Sequence, residues 1–455
     1  MTKDCSTRHR RTASLLALGV GGCLLSAVPA LSQSGGHSTV LDGLANLIPT
    51  LFDRTVELFP AGHEAHFVDS SQDLREAGIQ INRSIVGQLS TFPLGTSSGG
   101  FSYRFDEQLG IFERTSEGFG SVFAERAETI GNGKWNFGLN AFAIQYDAID
   151  DLDLRNGDLR FSLTHLDTNE DGTTIETFFE GDLVHVFAAL DLSTETVVFF
   201  GNYGITDRFD LAVAVPLVRV ELETQLIKQI ERLASEGFSD PPFHRFPDGS
   251  DRVSEFSSGS ASGLGDVLVR GKLSVARNET SAFALAADVR LPTGDEEDLL
   301  GTGATQTRLF AIGSARFGKF VPHVNAGYTI SSGGSELVGD LPDEVGFTVG
   351  YSAALHPRVT LFSDIVWRTL LDASRLRRES ETHLLRRFDS TQIESVERPS
   401  LRAEQEDINL ILGSAGVKVN LTGELLLTIN IALSLGDEGL RDEDAVALIG
   451  IDYSF

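Results

Sequence analysis

Cysteine is nearly missing from this chain. Two of its 455 residues are Cys, Cys5 and Cys23, and both lie close to the N-terminus. That excludes a disulfide-stapled scaffold. The only Met is Met1, and Pro occurs 13 times. Basic charge is also short: Lys plus Arg is 37 against 65 Asp plus Glu, a net charge of −28. A nucleic-acid binder needs a basic face, so this deficit argues against one. After the first 32 residues no stretch reaches 18 consecutive apolar residues, so no transmembrane helix is expected there. If the chain enters a membrane, it must do so as a closed barrel. Disorder does not fit either, because 41% of the residues are hydrophobic and the mean hydropathy is −0.02.

What is present begins with a segment that reads as a cleaved secretory signal over residues 1–32. Lys3, Arg8, Arg10 and Arg11 form a positive start, Ala13 to Val28 is mostly apolar, and Ala30 and Ser32 supply a small-residue cleavage site. Gly19, Gly21, Gly22 and Pro29 break the apolar stretch and favour a signal over a membrane anchor. A lipidated start at Cys23 is the weaker reading, since apolar residues continue past it. Removing four bases and one acid takes the net charge from −28 to −31 and leaves no Cys or Met.

Period-two alternation dominates the rest, the mark of a strand with two unlike faces. Val345, Phe347, Val349, Tyr351, Ala353 and Leu355 alternate with small or polar residues. So do Leu425 to Leu433, Phe283 to Leu291 and Val267 to Val275. These runs are longer than the ~5–6 residues of an ordinary strand and match the ~9–11 that cross a bilayer at a tilt. The second face, rich in Gly, Ala, Ser, Thr and Asn, suits a wet barrel interior.

The connections alternate in length. Long ones fall at 222–263, 292–303, 332–343, 372–406 and 435–444, with tight turns near 206–208, 277–279, 317–318, 356–357 and 420–421. Outer-membrane barrels have this rhythm and a β-sandwich has no reason to keep it. The chain stops inside a strand, with Tyr453 and Phe455 alternating to its last residue. That ending resembles the C-terminal signal of outer-membrane barrel proteins, which implies a role for Tyr453 and Phe455 as a signal read by the barrel-assembly machinery.

The expected fold is therefore all-β: a transmembrane antiparallel β-barrel over 99–455, with a short, partly helical N-terminal segment. The strands are read at 99–106, 119–130, 134–146, 157–166, 174–192, 196–205, 209–221, 264–276, 280–291, 304–316, 319–331, 344–355, 358–371, 407–419, 422–434 and 445–455, about 16, with 14 as the alternative even count. Residues 33–98 do not alternate. Leu41, Leu44, Ile48, Leu51 and Phe52 recur at helical spacing, Thr39 and Asp42 offer a cap, and Pro49 should kink the helix. This segment is either a periplasmic extension or a plug inside the barrel. Leu222, Leu226, Ile230 and Leu233 fit one face of a helix over the mouth, or else a solvated loop. Arg375, Arg377, Arg378, Arg386, Arg387, Arg398 and Arg402 stand in one long connection, where they would be solvated or would meet lipopolysaccharide.

No catalytic constellation emerges. His63 and His66 lack the spacing of a zinc-protease helix. Asp167 to Gly172 matches the start of a calcium loop, but the twelfth position is Phe178 instead of Glu. No nucleophile elbow and no phosphate loop appear. The expectation is no enzyme, no cofactor and no resident metal. Charges on barrel strands are the candidates instead: Arg270, Lys272, Asp288, Arg290, Arg308 and Arg316 are expected to line the lumen or to brace it by ion pairing.

Gly204-Ile205-Thr206-Asp207-Arg208-Phe209-Asp210-Leu211, followed by Ala214-Val215-Pro216, resembles a hairpin of a bacterial outer-membrane family. Gly263 to Val267, Arg290 to Asp295, Gly301 to Gly303 and Asn325 to Tyr328 fit the same family, as do Ser90 to Gly95 and Ala124 to Ala127. The chain over about 85–455 is similar to the MetA-pathway of phenol degradation family. The resemblance implies a Gram-negative outer-membrane, porin-like channel or transporter for small, hydrophobic or aromatic solutes. The rival is a structural or surface-interaction barrel without an open pore. The expected partners are a small-molecule solute, outer-membrane lipids and lipopolysaccharide, with no nucleic acid.

Overall fold

In the computed structural model, the described residues are 43–47, 58, 67–89, 91, 93, 95–96, 100–106, 111–114, 118–167, 175, 177–335 and 339–455. The expected signal over 1–32, His63 and His66, most of the residues proposed for an early helix and most of the calcium-like loop lie outside them.

The alternating segments form one antiparallel ring. In chain order its strands are β1 Trp135–Tyr146, β2 Leu183–Gly204, β3 Phe209–Glu231, β4 Val267–Arg277, β5 Ser281–Leu291, β6 Thr305–Ala315, β7 Phe320–Ser332, β8 Glu344–His356, β9 Val359–Arg386, β10 Ile393–Asn420, β11 Leu425–Ser434 and β12 Val446–Ser454. Each pairs with its sequence neighbours, and β12 closes on β1 with Leu448 opposite Phe142 and Ser454 opposite Asn136. Trp135 and Phe455 exchange backbone hydrogen bonds of 2.9 and 3.0 Å at the seam. The barrel therefore has 12 strands, not 16 or 14.

The difference has four sources. Residues 99–106 contribute Tyr103–Asp106, which among the described strands pairs with Ile111–Arg114 and not with the ring. Residues 119–130 form no strand. Leu159–Thr164 pairs only with the outer part of β2. The segments read as 174–192 and 196–205 are one strand, because Leu192 and Thr194 continue the buried face through the polar stretch between them.

Burial is inverted relative to a soluble protein. Outward residues are large and apolar, such as Leu285 at 48% exposure and Ile431 at 52%, while inward Lys272 and Ser454 are at 1% and 0%. Such an exterior requires lipid, and the fold is a transmembrane barrel. The five tight turns lie at 205–208, 278–280, 316–319, 357–358 and 421–424, all at one rim. The opposite rim carries the long connections. There β2, β3, β9 and β10 run on past the lipid-facing band, and β9 and β10 reach 28 residues each. Most of the expected loop 372–406 is thus paired strand, with a bulge between Leu370 and Ala373.

The expected helix from Leu222 to Leu233 is likewise strand as far as Glu231. Leu222, Leu226 and Ile230 are buried on one face of β3, because a spacing of four satisfies the strand period as well as the helical one. Beside this extension runs Arg252–Leu264, paired to β3 from Leu217 to Gln229. β4 pairs with β3 only up to Ala214, so Pro216 stands where β3 changes partner and its missing N–H breaks no ladder there.

One long helix, α1 Val68–Leu89, packs against β9 and β10. Ile81, Ile85 and Leu89 form its buried stripe. The sequence reading did not mark it, although the i, i+4, i+8 spacing was there.

Candidate functional site

The interior is dominated by a strap, residues 118–130, which crosses the barrel near the tight-turn rim. Nearly every residue in it is buried, although it has no regular secondary structure. Its backbone must then find partners elsewhere, and the wall supplies them. Phe119 N–H donates to Thr360 Oγ1 (3.1 Å), and Val122 and Phe123 N–H both donate to Asp364 Oδ2 (3.1 and 3.0 Å). Glu125 N–H donates to Asn325 Oδ1 and Asn325 Nδ2 donates back to the Glu125 carbonyl. Ala127 N–H donates to Ser314 Oγ (3.0 Å) and Ile130 N–H to Asp210 Oδ2 (2.9 Å). Lys418 Nζ donates to the carbonyls of Phe119 and Ser121. Gly120 allows the turn: its φ is +71°, and an added Cβ would lie 2.9 Å from Arg126 Nε.

The strongest tie is ionic. Glu125 places Oε2 2.7 Å from Arg270 Nη1 and Oε1 2.9 Å from Lys272 Nζ. Arg270 is itself held to the wall by Asp288, through Nε–Oδ1 at 2.6 Å and Nη2–Oδ2 at 2.7 Å. This fork is the geometry in which guanidinium and carboxylate bind best. Lys272 adds bonds to the Arg126 and Glu128 carbonyls.

Next to the strap is a chamber of about 120 Å³, bounded inside by Phe123 and by residues around Thr91 to Thr96. Its lining mixes apolar Phe200, Ala212, Leu268 and Val366 with Arg270, Arg290, Arg308 and Arg368 and the carboxylates Asp288 and Glu344. Arg368 Nη2 meets Glu344 Oε2 at 2.6 Å. Arg308 differs. Its guanidinium lies 4.8 Å over the Phe310 ring, it touches no carboxylate among the described residues, and its buried Nε–H has no acceptor. Asp288, opposite it in the ladder, and Glu344 act on the half-buried guanidinium without touching it, which leaves a donor open to a further acceptor.

Of the six charges singled out from the sequence, five occupy the inner face. Arg270, Asp288, Arg290 and Arg308 border the chamber, while Lys272 serves the strap. Arg316 sits at the tight-turn rim, 3.9 Å from Glu128. Sequence reasoning missed Glu125, Arg368 and Glu344. Arg368 and Glu344 stood in strands that the structure keeps, where inward phase could have revealed them; Glu125 stood in 119–130, read as a strand that the structure does not form.

Most arginines of the long hairpin have carboxylate partners. Arg375 contacts Asp150, Glu406 and Glu438; Arg377 contacts Glu406; Arg378 contacts Asp151 and Asp158. Arg387 reaches Glu394 at 3.6 Å, Arg398 pairs with Glu231, and Arg402 reaches Glu379 at 3.9 Å. The Arg398 site also holds His185: its Nε2–H donates to Glu231 Oε2 (2.6 Å) and its Nδ1 accepts from Ser162 Oγ (3.0 Å). Burial first of all, against the pull of Glu231, keeps His185 below the ordinary imidazole range. Burial opposes ionisation of Glu231, but its bonds to Arg398 and His185 win and hold it below the usual carboxylate range.

A buried Asp182–His244 pair at 2.7 Å lies in the same extension, and the Ser235 hydroxyl bonds to Asp182 instead of to His244. That is no nucleophile–base pairing. Among the described residues no group of three or more His, Cys, Asp or Glu is placed to hold a metal ion. At the seam Tyr453 and Phe455 face outward, and Tyr453 donates to Glu424 at 2.9 Å.

No curated protein matches the chain. Among solved structures, an outer membrane channel from Pseudomonas putida F1 is 13% identical, with a TM-score of 0.41, 72% of this chain and 98% of that chain being covered. The toluene transporter TbuX of Ralstonia pickettii is 11% identical (TM-score 0.27; 71% and 90% covered). The translocator domain of the autotransporter NalP from Neisseria meningitidis is 10% identical (TM-score 0.30; 71% and 89% covered). All three likenesses are remote. Residues 166–356 match the model of the family described as "Putative MetA-pathway of phenol degradation".

Proposed function

We propose that this protein is an outer-membrane channel for small molecules that join an apolar or aromatic body to an acidic or electron-rich end. The observation that carries this reading is the chamber. A lipid-embedded cylinder encloses a cavity lined by phenyl and aliphatic side chains together with Arg308, a guanidinium in direct contact with no carboxylate among the described residues. The phenol-degradation description of the matching family agrees with aromatic cargo. In this reading residues 1–32 direct export, α1 and the strap form a plug, and outward-facing Tyr453 and Phe455 are the handle for the barrel-assembly machinery. Lipid surrounds the apolar exterior, and any contact with lipopolysaccharide falls to the long extensions.

The strap also favours a second reading, a closed barrel that presents its extensions to a partner. One experiment separates them. Purified protein in liposomes should admit benzoate faster than empty vesicles do, and Arg308→Glu should cut that flux at least tenfold. No flux above empty vesicles would sink the channel reading and leave the closed barrel. Flux that Arg308→Glu leaves unchanged would remove the chamber from the selectivity.

A further inference from the structure

We propose that the Arg270–Glu125 contact is a solute-displaceable latch, so that an anion bound in the chamber frees the strap and opens the barrel. This rests on the channel reading above. Arg270 belongs to two places at once. It borders the chamber, and its Nη1 holds the strap through Glu125 at 2.7 Å. Asp288 fixes the rest of the guanidinium to the wall by a two-point fork, so Arg270 stays in place whether or not Glu125 leaves.

A carboxylate entering the chamber presents to Arg270 the same chemistry as Glu125. It competes for Nη1 from the chamber side, while Arg308 supplies a second cation that Glu125 does not use. The strap's other ties are hydrogen bonds of its backbone: N–H groups donate to Thr360, Asp364, Asn325, Ser314 and Asp210, and Asn325, Lys418 and Lys272 donate to its carbonyls. Glu125 is the one strap residue whose side-chain carboxylate spans two wall cations among the described residues, so its displacement removes the strongest single restraint. A ligand shifts an equilibrium only by its preference for one state, and here that preference arises because Arg270 cannot fully serve both carboxylates.

The test uses planar bilayers, with benzoate as the anionic aromatic probe and benzyl alcohol as its neutral counterpart. The latch predicts that benzoate raises open probability at least fivefold, that benzyl alcohol does not, and that Glu125→Gln is open without benzoate. Cys5 and Cys23 both lie within residues 1–32, so a strap lock in a protein expressed without that segment is clean: Ala127→Cys with Ser314→Cys joins positions already linked by a 3.0 Å hydrogen bond. Oxidised, this double variant should lose at least nine-tenths of its conductance and regain it with reductant. Equal conductance oxidised and reduced would show that the strap does not move and would overturn the latch while leaving the channel intact. A Glu125→Gln protein that still needs benzoate would also overturn it. A wild-type protein silent in bilayers and in liposome flux would instead overturn the channel reading itself.

Discussion

Arg368 grips Thr91, just beyond the end of α1. Its Nη1 donates to the Thr91 carbonyl and its Nη2 to the Thr91 hydroxyl, both at 3.0 Å, while Nη2 also pairs with Glu344. One wall arginine therefore ties the N-terminal segment to the barrel and neutralises a buried carboxylate.

Replacing Arg368 with Met strands Glu344 in a site where it is 6% exposed. Breaking one side of a buried pair costs on the order of 3–5 kcal/mol. The Arg368→Met protein should unfold at clearly lower urea in lipid vesicles, and adding Glu344→Gln should recover more than half of the loss. Equal midpoints for the single and double variants would show that the pair does not matter to stability.

Leu285 faces outward from β5 at 48% exposure. In water, Leu285→Arg at such a position would change stability by no more than about 0.5 kcal/mol. Against lipid the same change should cost about 2–4 kcal/mol near the bilayer midplane. Urea unfolding in vesicles measures it, and a neutral result would place this surface outside the membrane.

The His185–Glu231–Arg398 site makes the extension acid-sensitive. His185 is held neutral by burial, so its contribution is complete above about pH 6.5 and falls as pH drops from there toward its lowered folded value. Glu231 is held ionised by Arg398 and His185, so its contribution persists to lower pH and is lost as pH falls through its depressed value. Both act in one direction: between pH 8 and pH 5 the outer parts of β2, β3 and β10 should become easier to cleave by protease. His185→Gln should flatten the upper part of that profile. A wild-type extension equally resistant at both pH values would refute the assignment.

Strand phase was readable from the chain because each membrane strand carries its environment in alternate residues: Leu285 and Val289 meet lipid, Ala284 and Asp288 meet the lumen. The tight turns were readable for the same reason. Beyond the membrane that code fails. Asp191 and Glu195 look like a break, yet β2 runs straight through them because water covers its outer face there and only the buried Leu192 and Thr194 need agree. The strap was misread as a strand because its small and apolar residues satisfy the same pattern, although no neighbouring strand pairs with it. Its partners Asp364, Asn325 and Lys418 lie 200 to nearly 300 positions away, and local periodicity carries no trace of them. The charges Arg270 and Asp288 could be assigned to the inner face. Glu125, which gives Arg270 its second partner, could not.

The strap precedes β1, yet its bonding partners are spread over β3, β4, β6, β7, β9 and β10. Once β12 has zipped onto β1 the cylinder has no side entrance, and threading a buried peptide through it would mean stripping a dozen polar contacts together. A strap already in position while the sheet is still open would act as a mandrel around which successive hairpins curl. The segment that obstructs the finished conduit would then also help set its circumference during biogenesis.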